Sequence, residues 1–377
     1  MEVLQWIAQI VSAIVVIGFL IFFIRNVIDA ADARGLDLGF GWMDEASGFP
    51  LSESVIDYDP SKSFGYALWV GFLNTLKVSL VGIVLATVVG LIAALSRLSS
   101  NWLVSKIATV YIDTIRNIPL LVQLFIWYFA VFQAFPSVQD ALRLPGPLFL
   151  SQRGMYMTWV KPTASFVTWA LIFVAGVILS IIVYRVLLHY QLRTGRSTYP
   201  FVIGTLIFVV FPLVGWFLVG SPPLQGTVPE LGKFNFSGGL RLTPEFAALL
   251  VGLVIYTGAF IAEVIRAGIL AVEKGQVEAA RSLGLSQSQV LRLVIMPLAM
   301  RVIIPPLISQ YLNLTKNSSL AIVIGYADVF FVGRTIINQA GRAVPVFLLI
   351  MACYLGLSLI TSFIMNIYNR RVQLVER

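Results

Sequence analysis

Residues 70–95 read VGFLNTLKVSLVGIVLATVVGLIAAL. About 20 apolar residues are enough for a helix to cross the hydrocarbon core of a bilayer, and this run exceeds that length. In lipid, each backbone N–H and C=O must be paired within its own segment. Such a run therefore reads as a transmembrane helix, and the alternating polar pattern of a membrane barrel is absent. Gly82, Ala86, Gly90 and Ala94 recur every four residues along it. Lipid supplies no hydrophobic drive for helix association, so a stripe of small residues is a means for two backbones to approach closely. The alternative is a chance run, since small residues are common in membrane helices.

Seven other stretches qualify or nearly qualify as spans: 6–24, 118–136, 164–184, 200–219, 246–265, 302–325 and 345–367. The expected fold is an all-α membrane protein of about eight transmembrane helices, counted at about 20 residues each. Composition agrees. The chain is 58% hydrophobic and 12% charged, with a mean hydropathy of +0.89. Soluble domains hold about 45–50% apolar and about 25% charged residues, so this chain lacks the polar surface to be one. The 6–24 run follows MEVLQ, which has no positive charge, and no small-x-small cleavage site comes after it. It reads as a span rather than a signal peptide.

The net charge of +8 does not indicate nucleic acid, because no basic cluster with interleaved aromatics is present. With the N-terminus placed inside, the inside loops are 97–117, 185–199, 266–301 and 369–377. They hold 14 of the 26 lysines and arginines, against 10 in the longer outside loops. That bias orients both termini to the cytoplasm. The first outside loop is acidic, with Asp29, Asp32, Asp37, Asp44, Glu45, Glu53, Asp57 and Asp59.

The seventh stretch is interrupted by Gln310-Tyr311-Leu312-Asn313-Leu314-Thr315-Lys316-Asn317-Ser318-Ser319. A lysine at membrane depth costs about 2.5–3.5 kcal/mol on insertion scales, so it faces a polar cavity, a partner or the protein interior. Two readings stand: the segment lines a transport pathway, or the helix ends early and Lys316 sits in a surface turn. Glu263 lies three residues before Arg266, a spacing that fits a local ion pair at the interface better than a proton relay. Lone Cys353 and lone His189 have no partners for metal or nucleophilic chemistry. There is no P-loop, no Gly-x-Ser-x-Gly elbow and no His-Glu-x-x-His pair. No catalytic residue, metal site or cofactor is expected.

Residues 272–286 read VEKGQVEAARSLGLS. Gly284 suits the C′ position that ends a short helix. Ser286, with Gln289 three residues on, suits a capping box opening the next. Two short helices joined by a glycine turn are expected inside, between spans.

Glu278-Ala279-Ala280, then Gly284, then Val294-x-Met296-Pro297 resembles the signature loop of ABC importer permeases, where the pattern is Glu-Ala-Ala, Gly and Ile-x-Leu-Pro. Lys274-Gly275-Gln276, Arg281-Ser282-Leu283-Gly284 and Ala299-Met300-Arg301 look like the polar amino-acid branch of that family. So do Lys316-Asn317-Ser318-Ser319-Leu320, Arg116-Asn117-Ile118-Pro119-Leu120 and Gly71-Phe72-Leu73-Asn74-Thr75-Leu76. The resemblance covers 66–135 and 246–377. It implies a core of five to six helices, with 1–65 as an N-terminal helix and periplasmic loop, 66–135 and 246–377 as the core, and 136–245 as an insert with two extra spans. An insert of that kind is similar to the larger permease of general L-amino-acid uptake systems.

By this resemblance Glu278, Ala279, Ala280, Gly284 and Pro297 belong to the loop that docks on a cytoplasmic ATPase. Gln123, Asn313, Lys316, Asn317 and Ser318 fall near the substrate pathway. The implied partners are two ATPase copies, a second homologous permease, a periplasmic amino-acid-binding protein, the amino-acid substrate and the lipid bilayer. The implied place is the bacterial inner membrane. The competing reading, a secondary transporter or channel for small polar solutes, predicts deep ionisable pairs and an inverted repeat; neither is evident.

Overall fold

The computed structural model describes residues 2–33, 38–232 and 234–372. Arg34 and Asp37 of the first outside loop, Lys233, and the tail 373–377 with Arg377 lie outside the described residues. The helices are α1 Glu2–Ala33, α2 Phe64–Arg97, α3 Trp102–Asn117, α4 Leu120–Phe125, α5 Phe166–Thr194, α6 Pro200–Leu218, α7 Pro244–Leu270, α8 Lys274–Ser282, α9 Gln287–Val290, α10 Met296–Asn317, α11 Val329–Ala340 and α12 Ala343–Val372. Among the described residues, seven helices are long and apolar enough to cross a membrane, or eight if a bent pair counts as one span.

That bent pair replaces the third expected span. Residues 97–117, expected as a loop, hold the helix α3, which turns by 105° into Leu120–Phe132. Pro119 sits at the corner, where it has no N–H to give a continuing helix.

The chain divides into two compact units, Met1–Gln133 with Thr243–Arg377, and Ala134–Leu242. In the first, α2 and α7 cross at the glycine stripe. A Cβ at Gly90 would lie 2.6 Å from Ile261 Cγ2 and 2.9 Å from Gly258 O, and one at Gly82 would lie 3.2 Å from Leu314 Cδ2. The stripe is therefore the contact surface rather than a chance run. Ser63 opens α2 by accepting the Tyr66 N–H, and Thr243 opens α7 by accepting the Phe246 N–H.

The second unit holds the hairpin α5–α6 and eight short strands, where the sequence led us to expect only loops. They are β1 Leu142–Leu144, β2 Leu148–Ser151, β3 Gly154–Met157, β4 Trp159–Pro162, β5 Leu224–Thr227, β6 Glu230–Leu231, β7 Phe236–Ser237 and β8 Leu240–Leu242. One sheet runs β1-β2-β3-β8, and β4-β5 and β6-β7 form two-stranded sheets, all antiparallel. Runs of two to four residues are too short to display a two-residue alternation. Tyr156, Phe236 and Val138 form a small core under the first sheet. At the hairpin crossing, a Cβ on Gly176 would lie 2.5 Å from Phe211 Cβ, and one on Gly215 would lie 2.8 Å from Ile172 Cγ2. Gly176→Leu is accordingly expected to splay α5 from α6. Cysteine cross-linking across the hairpin reads this as lost yield, and unchanged yield would contradict it.

Candidate functional site

The stretch between α7 and α10 is built as expected. Gly284 stands just past α8 with φ +79°, the left-handed region that only glycine adopts without steric cost. Its N–H donates to Arg281 O at 2.9 Å, closing the helix end. Ser286 Oγ accepts the Gln289 N–H at 3.4 Å, and Gln289 Oε1 accepts the Ser286 N–H at 2.8 Å, completing the capping box. Glu278 and Ala279 are exposed on α8, and Pro297 is exposed in the first turn of α10. Ala280 is only 5% exposed, with its small side chain packed inside the chain. The residue the sequence did not single out is Leu283. It is 82% exposed at the tip of the loop beside Gly284.

The expected pathway residues separate into two groups. Asn313 and Lys316 are exposed, and with exposed Ser309, which was not among the expected residues, they form one polar stripe along α10 at spacings of four and three residues. Lys316 is in the last turn of α10 and the chain continues as a 3-10 helix over Ser318–Ile324, so it lies on helix rather than in a surface turn. Lys316 and Ser319 edge an apolar groove of about 700 Å³ walled by Phe330, Phe347 and Tyr354. Asn317 is half-buried. Ser318 and Gln123 do not line an open surface. Ser318 is fully buried and donates to Thr315 O at 2.8 Å. Gln123 is 3% exposed, and its Nε2 donates to Ile115 O and Ile118 O, both at 3.0 Å. It pins the corner between α3 and α4, taking up carbonyls that the bend strands.

Two polar networks tie the helix ends of this unit. At one end, Glu263 makes the expected pair with Arg266, at 3.0 Å, and also pairs with Arg97 of α2. Arg97 lies 3.5 Å from Asp113 of α3. At the other, the acidic loop folds back onto the bundle. Trp42, Phe49 and Phe64 pack with Val329, Val332 and Ile336. Glu53 is 8% exposed, pairs with Lys77 of α2, and accepts the Thr243 hydroxyl. Asp59 accepts from the Ser61 hydroxyl and N–H, which holds its carboxyl below the usual range.

The motif at 71–76 acquires a reason in the same place. Gly71 lets the 328–329 backbone approach within 3.0 Å of where its Cβ would be. Asn74 Nδ2 donates to Ala327 O at 2.8 Å and Glu53 O at 2.9 Å, and Thr75 Oγ1 accepts the Val329 N–H at 3.0 Å. Asp328 caps α11 by accepting the Phe331 N–H at 2.8 Å, and it accepts the Tyr354 hydroxyl at 2.9 Å. Among the described residues no group of three His, Cys, Asp or Glu side chains is placed to hold a metal.

Membrane spans joined by a capped, exposed helical loop, with a polar stripe on one span, describe a multi-span α-helical membrane protein. Comparison with known proteins gives the family. The binding-protein-dependent transport system inner membrane component model matches residues 184–374. The chain is 45% identical over 376 residues to the putative amino-acid ABC transporter permease protein YhdX of Escherichia coli K12, covering 99% of this chain and 95% of that one. It is 41% identical over 371 residues to the general L-amino acid transport system permease protein AapQ of Rhizobium johnstonii, covering 98% and 92%. It is 36% identical over 402 residues to the glutamate/glutamine/aspartate/asparagine transport system permease protein BztB of Rhodobacter capsulatus, covering 98% and 93%. The chain belongs to the family of binding-protein-dependent transport system inner membrane components.

Proposed function

We propose that this chain is the permease subunit of an ATP-driven importer that moves amino acids from periplasm to cytoplasm by alternating access. The observation that carries it is the α8–Gly284–α9 loop, capped on both sides of the Gly284 turn and exposed between two spans. The names of the relatives at 36–45% identity support amino acids as the cargo. Glu278, Ala279, Leu283 and Gly284 form the docking surface for a separate ATPase subunit, which hydrolyses the nucleotide. Leu283 supplies an apolar contact at the tip of that surface, since removing apolar area from water favours docking. Two ATPase copies, a second homologous permease and a periplasmic binding protein complete the assembly, and both termini face the cytoplasm.

Nucleotide-driven closure of the ATPases is the biasing ligand that shifts the permease between its two states. Asn313 and Lys316 line the pathway at the seam with the second permease, and Lys316 offers its ammonium to the substrate carboxylate. Such a charge needs a partner to offset its desolvation in the membrane.

The test is ATP hydrolysis and uptake in proteoliposomes holding the whole complex. Gly284→Asp and Leu283→Asp are expected to leave the permease folded while uptake and substrate-stimulated hydrolysis fall at least about tenfold, which corresponds to about 1.4 kcal/mol of lost docking. Lys316→Met is expected to abolish uptake while basal hydrolysis continues. Uptake that persists with the loop altered, or without ATPase subunits, would overturn the reading.

A further inference from the structure

The far turn of the α5–α6 hairpin takes no part in the function proposed above. From Ala141 to Pro229 the sequence contains no aspartate or glutamate. Within that acid-free stretch, Arg185, His189 and Arg193 recur every four residues along the end of α5, on one helix face, and Arg196 follows in the turn. All four side chains are exposed, and none is in an ion pair among the described residues.

Length places this patch. α6 has 19 residues, about 28 Å at 1.5 Å per residue, which matches a hydrocarbon core about 30 Å thick. The apolar part of α5, 166–184, is equally long, but α5 continues to Thr194. Its last ten residues therefore run about 15 Å beyond the core, through the headgroup layer. The turn is fixed rather than loose. Thr198 Oγ1 donates to Leu187 O at 3.0 Å, and Gly195 caps α5 at φ +70°. Exposed Tyr184, Tyr190 and Tyr199 surround it, the residue type that settles at a membrane interface. On the core side of the patch lies a groove of about 220 Å³ between the two helices, lined by Ser180, Tyr184, Phe201, Gly204 and Phe208. Gly204 opens that groove by bringing no side chain to the crossing.

We propose that this turn is a binding site for anionic phospholipid, with the phosphate headgroup on Arg185, Arg193 and Arg196 and an acyl chain lying along the groove between α5 and α6. The cationic face supplies charge complementarity, the acid-free stretch leaves no internal competitor, and the groove reaches Tyr184, the neighbour of Arg185 in sequence. Arginine forks suit phosphate oxygens. Each basic residue near an anionic surface is expected to favour association about fivefold.

The test uses the full chain in phosphatidylcholine vesicles carrying trace spin-labelled phosphatidylglycerol or phosphatidylcholine. Electron spin resonance then reads the share of label immobilised on the protein. The unaltered chain is expected to prefer phosphatidylglycerol at least about fivefold, less so in high salt. The triple variant Arg185→Gln/Arg193→Gln/Arg196→Gln is expected to lose that preference. Should the triple change impair insertion, Arg193→Glu alone is expected to lower it at least about twofold. Equal preference in the unaltered chain and in the variants overturns the proposal. So does an unchanged lipid preference accompanied by loss of the ATPase subunits from the purified complex, which would assign the arginines to a protein surface instead. Neither result bears on whether the α8–α9 loop couples hydrolysis to transport.

Discussion

Gly90→Leu is expected to stop α2 from seating on α7 and to leave little folded chain. Overpacking a close-packed contact costs about 1–3 kcal/mol, and more where the obstacle cannot move. Here the obstacle includes backbone: the Gly258 carbonyl oxygen would be 2.9 Å from the new Cβ, with Ile261 Cγ2 at 2.6 Å. A loss of about 3 kcal/mol or more follows. Gly82→Ala, which meets only the flexible end of Leu314 at 3.2 Å, is expected to be mild. Gly18→Leu, with nothing within 4 Å, is expected to be silent. Thermal melting of the three variants in one detergent checks the order, and a Gly90→Leu chain as stable as Gly18→Leu would refute the crossing.

Glu263→Leu is the second large effect. It removes the carboxylate shared by Arg97 and Arg266, leaving Arg97 only its longer contact with Asp113 at 3.5 Å and Arg266 no ion pair among the described residues. Breaking a fully buried pair costs about 3–5 kcal/mol. These side chains are 19–31% exposed, so solvent screening reduces the expected loss to about 1–3 kcal/mol. Adding Arg266→Leu to the variant is expected to restore part of the loss, because Arg266 is the cation left without an ion pair among the described residues. A double-mutant cycle of melting temperatures reads this directly. Strict additivity would show that the pair contributes nothing.

What was legible in the sequence was local. The Gly284 turn and the Ser286–Gln289 box each rest on residues within three or four positions of one another, and capping chemistry has few alternatives. The Glu263–Arg266 pair was legible for the same reason. What was not legible depends on partners far along the chain. Arg97 reaches Glu263 across 166 positions and Thr243 reaches Glu53 across 190. Nothing in the acidic run 44–59 marks Glu53 as the carboxylate that turns inward. The burial of Gln123 and Ser318 was not legible, because a polar side chain in an apolar run is equally suited to lining a pathway or to satisfying a broken backbone. Here the 105° corner and the 3-10 segment after α10 claimed them. Ala280 shows the same ambiguity at small scale, since a small residue permits close packing from either side.

The bonds at Asn74 and Thr75 have a consequence for biosynthesis. Their partners, Ala327 and Val329, lie 253 and 254 residues later. At about 5–20 residues per second, that separation corresponds to about 13–50 s of synthesis. Throughout that interval Asn74 has only Glu53 O to donate to and Thr75 only the Gly71 O of its own helix, while the bonds to Ala327 and Val329 wait for the end of the chain. A chain cut short before residue 327 therefore keeps the local bonds of α2 and lacks the two that tie this helix to the turn before α11.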